Sequence, residues 1–121
     1  GRMFPFFPAE GAGGRAMNLL ELPLTVMDAA LFARRALSGA EALETAWGAI
    51  EPVMAAGGLV TLLWHNDGFN EPEYREWQWT YERLLERLAA AGPWCATGGE
   101  INAWWRAKGL AGTTVGAVAP D

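Results

Sequence analysis

Residues 57–74 read GGLVTLLWHNDGFNEPEY, and the fold turns on how this stretch is understood. The two glycines stop whatever precedes them. LVTLLW then forms a short, unbroken apolar run, the pattern of a strand buried on both faces. It ends at His65, the only histidine in the chain. Asn66 and Asp67 have the character of turn residues. Asn70, with Pro72 in the first turn and Glu73 three residues on, opens a helix. The stretch is therefore strand, turn, helix, with an imidazole on the strand's C-terminal rim. Such a histidine is either a structural side chain bonded to a backbone carbonyl or one member of a catalytic site.

The flanking sequence repeats the alternation. LLELPLTVMD (residues 19–28) has apolar residues on nearly both faces and reads as a second parallel strand, with Pro23 marking a bulge or an edge. ALFARRAL (30–37) is a short helix or turn. Ser38 and Glu41 form an S-x-x-E capping box for a helix on which Leu43, Ala46, Trp47, Ile50, Val53 and Met54 recur at three- and four-residue spacing. Pro52 kinks that helix near its end, and Gly57 and Gly58 stop it.

Beyond residue 70, Tyr74, Trp77, Tyr81, Leu84, Leu85 and Leu88 share one helical face, closed by Gly92 and Pro93. WCAT (94–97) reads as a brief strand. Thr97 and Glu100 form another capping box, opening GGEINAWWRAK (98–108). The first 18 residues, rich in Gly and Pro, read as loop. The expected class is α/β, with about three parallel strands alternating with helices. Three strands are few for a closed barrel, which takes roughly 200 residues or more, so the chain reads as part of a larger domain.

Composition narrows the function. With 121 residues and 51% apolar side chains, the chain suffices for one packed domain. A formal net charge of −5 argues against a nucleic-acid partner. No apolar run has the roughly 18 residues of a membrane span, and no signal-peptide pattern is visible. The single cysteine, Cys95, lies in an apolar segment and reads as a buried structural thiol. Seven tryptophans are unusually many. Trp104 and Trp105 are either a sugar-stacking platform or, in part, packing against the sheet.

In parallel α/β folds, reactive groups gather where strands end. Asp28 and His65 occupy such ends here. On neighbouring strands they would share a crevice, the carboxylate orienting the ring and favouring its protonated form. The plainer alternative is that Asp28 caps the helix that follows it. Asn66 could line the crevice mouth. One His and one remote Cys do not make a metal site. No G-x-S-x-G or Walker-type loop occurs.

Three segments, LLELPLTVMDAALF, GGLVTLLWHNDGF and GGEINAWWRAK, together resemble the last part of the polysaccharide deacetylase family, the family-four carbohydrate esterases. The first resembles the family's fourth motif, an Asp at the end of a late strand, although Ala29 follows it where Trp is frequent. The second resembles the fifth motif, an apolar strand ending in His. The opening GRMFPFFP resembles the segment after the third motif's arginine.

The resemblance covers about residues 1–108. It implies the C-terminal portion of a distorted (β/α) barrel, with 109–121 as a flexible tail. It also implies a hydrolase acting on N-acetylated or otherwise acylated carbohydrate, with a divalent metal, often zinc, in the full-length parent. His65 would be the general acid and Asp28 its partner. Leu63 and Trp64 would wall the acyl pocket. The family's Asp-Asp pair and its paired metal-binding histidines have no counterpart in these 121 residues. The chain alone is therefore expected to be inactive and without metal, and to self-associate through an exposed sheet edge. A non-catalytic carbohydrate-binding or structural α/β module is the alternative.

Overall fold

A computed structural model describes residues 2–66, 69 and 71–109. The order of elements is β1 (Val26–Met27), α1 (Asp28–Leu31), α2 (Gly39–Ala55), β2 (Leu62–Leu63), a single 3-10 turn (Pro72–Tyr74), α3 (Arg75–Ala91) and α4 (Gly98–Ala107). The chain is mixed α/β. The strands pair in parallel, with Val26 opposite Leu62 and Met27 opposite Leu63.

Both strands are shorter than their apolar runs imply, and the cause lies just upstream of the ladder. Thr25 N–H donates to both the carbonyl and the hydroxyl of Thr61 (3.1 and 3.2 Å), and Thr61 N–H donates to Thr25 Oγ1 (3.2 Å). The Thr61 hydroxyl reaches the Pro23 carbonyl. Threonine side chains thus occupy places a regular ladder would fill with backbone groups. Pro23 supplies no N–H to restore it. WCAT, expected as a strand, is irregular chain. Trp94 is 62% exposed, and Cys95 is an exposed free thiol rather than a buried one. Two strands, not three, are found among the described residues.

The helices agree with their local signals. Ser38 and Glu41 close the capping box of α2, and Thr97 and Glu100 that of α4. Pro52 lies in the last turn of α2. Gly57 (φ 68°) follows that helix, and Gly92 (φ 64°) ends α3 in the left-handed conformation that glycine adopts without strain. The caps expected at Asn70 and the turn at Asp67 lie outside the described residues, as do 110–121 of the expected tail.

Val26, Leu31, Phe32, Ala42, Leu43, Ala46, Ile50 and Leu84 form the core. It lies between the strand pair and the packed helices α2 and α3. Helix α3 turns Leu84 fully inward but leaves Leu85 43% exposed, so the face read from sequence is narrower than expected. The two helices meet at Gly39. Its N–H donates to Glu76 Oε2 (3.1 Å), and its carbonyl accepts from the buried Thr80 hydroxyl (3.0 Å). A Cβ there would stand 3.2 Å from the Trp79 ring, so glycine permits the approach. The N-terminal segment folds back on itself, with antiparallel bridges Phe6–Glu21 and Ala9–Ala16. Met3 accepts from Leu59 N–H (2.8 Å), tying this segment to the approach of β2.

Candidate functional site

The parallel register carries Asp28 and His65 to the same end of the strand pair. Asp28 follows β1 directly and begins α1; His65 stands two residues past β2. Thirty-seven positions apart, they are joined twice. The His65 N–H donates to Asp28 Oδ2 (2.7 Å), and Nδ1 lies 2.8 Å from Oδ1. Oδ1 also accepts from Ala29 N–H (2.6 Å). The carboxylate is wholly buried, at 0% exposure, and these three donors compensate its loss of water. Asp28 is not the cap of α1: it is the first residue of that helix, whose N-cap, Met27, makes no side-chain cap bond, and its carboxylate is turned to His65 and to the next backbone N–H instead.

The imidazole behaves differently. Its side chain is 52% exposed, so the pair joins a buried carboxylate to a ring open to solvent. With Nδ1 facing a carboxylate, that nitrogen carries a proton. Proton exchange with a bound molecule would then run through Nε2. The two bonds to Asp28 fix the ring's orientation.

An aromatic cluster holds the base of this site. Trp64 packs edge-on to Phe32 (centroids 6.3 Å) and against Tyr81 (5.3 Å). Phe32 stacks on Trp77 at 4.8 Å, and Phe69 meets Tyr81 at 5.6 Å. Rings so placed gain about 0.5–1.5 kcal/mol per pair beyond area burial. They anchor the residue before His65 from the C-cap of α1 and from α3. Trp77 and Tyr81 were legible as a helical face; Phe32 had no sequence signal tying it to the site.

The two residues expected to wall a pocket do not share a side. Trp64 is half-buried in the ring cluster, whereas Leu63 is 42% exposed, as successive residues of an extended segment alternate. Asn66 is exposed on the bend after His65.

The divalent metal implied by the resemblance does not fit the residues present. Among the described residues no group of three or more His, Cys, Asp and Glu could hold an ion. The one imidazole has Nδ1 on Asp28. Among the described residues no helix is long and apolar enough to cross a membrane. Comparison with protein-family models, curated proteins and solved structures finds no match.

Proposed function

We propose that this chain carries the proton-donor part of a polysaccharide deacetylase-like hydrolase, whose parent protein acts on N- or O-acetylated sugars. The observation that carries this reading is the buried Asp28 carboxylate engaging both the backbone and the ring of a half-exposed His65. His65 in its protonated form donates from Nε2 to the leaving amine or alkoxide as the bond to the acyl carbon breaks. Asp28 positions the ring and holds the charge on it. General acid catalysis of this kind contributes typically about 10²–10⁴-fold. Among the described residues no group of His, Cys, Asp and Glu completes a metal site beside this pair, so proton donation is the part of the chemistry these residues would supply.

The test is acetate release from acetylated chitooligosaccharides by the natural protein that contains this chain. His65→Gln should lower it by about 10²–10⁴-fold. Equal release by variant and wild type refutes the reading.

A second reading, a non-catalytic carbohydrate-binding module, is favoured by the tryptophans around α4. Trp94 (62% exposed) and Trp104 (44% exposed) lie with centroids 6.0 Å apart, and Trp105 is 6.1 Å from Trp104. Quenching of tryptophan fluorescence by N-acetylglucosamine oligomers, lost in Trp94→Ala and without turnover, would decide for it. Self-association through the strand pair's edge is supported by exposed Leu24 and Leu63. A monomeric mass by light scattering at high concentration would exclude it.

A further inference from the structure

A second constellation lies where α4 meets the segment entering β1. Arg106 donates from Nε to Asn102 Oδ1 (2.9 Å), one turn earlier on α4. It donates from Nη1 to Asn18 Oδ1 (2.8 Å), 88 positions away in sequence. Its guanidinium also lies over the ring of Phe7, 4.9 Å from the centroid, and Phe7 is buried. Two amides and an aromatic face therefore fix the cation in place. These contacts border a cleft of about 270 Å³ lined by Asn18, Leu19, Leu22, Gly98, Asn102 and Arg106.

The hydrogen-bond chemistry of the cleft is one-sided. Arginine has donors only, so each asparagine must turn its oxygen toward Arg106. The amide –NH₂ of each then occupies the other branch. Of the five guanidinium N–H bonds, the remaining three meet no acceptor among the described residues. No carboxylate among the described residues lies within ion-pair distance of Arg106. The nearest acidic group along α4 toward Gly98, Glu100, is engaged by Thr97 N–H (2.7 Å) and hydroxyl (2.8 Å). The cleft thus presents a held guanidinium and two amide donors, and its apolar wall comes from leucines.

We propose that this cleft binds the carboxylate of a small organic acid, gripped by Arg106, Asn18 and Asn102. The planar fork of arginine matches two carboxylate oxygens. A single cation suits a monoanion better than a phosphate dianion. The volume is below the roughly 300–1,000 Å³ of pockets for drug-sized ligands, so the occupant is compact, its apolar part against Leu19 and Leu22. This binding is independent of the activity proposed for His65.

The experiment titrates the full chain with sodium acetate, acetamide and inorganic phosphate at constant ionic strength. It follows the side-chain NH₂ signals of Asn18 and Asn102 and the Nε–H of Arg106 by ¹H–¹⁵N NMR. Acetate should shift all three saturably, and acetamide should not. Asn102→Asp keeps an oxygen for Arg106 Nε, so the fold is retained, but it removes an amide donor and adds a negative charge. In that variant acetate affinity should fall more than about tenfold, as charge-assisted bonds are the strong ones. Arg106→Lys keeps the charge without the fork and should also weaken binding. No saturable shift with acetate, equal response to acetamide, tighter binding of phosphate, or unchanged affinity in Asn102→Asp would each overturn the proposal.

Discussion

Asp28→Asn removes one charge and almost no volume, so its effect isolates the dyad. The carboxylate accepts three hydrogen bonds at 2.6, 2.7 and 2.8 Å from full burial. An amide has one oxygen and one –NH₂. If the –NH₂ takes the Oδ2 place, it faces the His65 N–H. If it takes the Oδ1 place, it faces Ala29 N–H. Either way one buried backbone donor is left without an acceptor, which costs about 1–3 kcal/mol.

The lost attraction to imidazolium adds less, because the ring is 52% exposed and solvent screens it; about 1 kcal/mol is appropriate for such a pair. The expected loss is therefore about 2–4 kcal/mol at pH 6. Urea unfolding of both proteins at pH 6 measures this. A difference under about 0.5 kcal/mol, within the range of ordinary surface substitutions, would refute the reasoning.

Leu84 is fully buried between α2 and α3, so Leu84→Ala should cost about 2–5 kcal/mol in urea unfolding, with the m-value unchanged. At Gly58 an added Cβ would stand 2.5 Å from the Met3 carbonyl and 2.9 Å from Val53, so Gly58→Ala should destabilise by about 1–3 kcal/mol and alter the Met3 and Leu59 amide signals. The carboxyls of Glu41 and Glu100 titrate below their ordinary 4.5, held down by bonds from Ser38 and Thr97. Their stabilisation is present above that value and lost as pH falls through the lowered one, so helicity by circular dichroism should fall on acidification, less so in a Glu41→Gln, Glu100→Gln double variant. The purified chain should hold no stoichiometric zinc by elemental analysis; one bound ion per chain would contradict the ligand set described.

Helix ends were legible because their signals are local. Ser38 with Glu41 and Thr97 with Glu100 each act within one turn, and Gly92 acts on its own φ. The strands were overread because an apolar run records burial and not hydrogen-bond partners. Nothing in LPLTVMD says that Thr25 and Thr61 will exchange side-chain bonds and replace the regular ladder. WCAT failed in another way: its aromatic and thiol imitate a core strand, but Trp94 and Cys95 are exposed beside α4. Asp28 and His65 were legible because both end apolar runs, and strand ends in one sheet converge. Arg106 and Asn18 were not: only a fold brings together two polar residues so far apart in sequence, and neither residue type is rare enough to attract notice.

The pair of hydrogen bonds between Asp28 and His65 spans a long stretch of chain. It closes a loop across 37 positions that contains all of α2. Closing a flexible segment of that length costs about 3 kcal/mol in chain entropy, which no local interaction of either residue recovers. The Asp28–His65 pair therefore depends on the docking of α2 and on the register of the strands. By mass action the converse holds: a molecule that binds only the assembled pair draws the whole β1–α2–β2 unit toward the folded state. Ligand-induced protection from hydrogen exchange would then appear far from the ligand, along the inward face of α2 at Ala46 and Ile50.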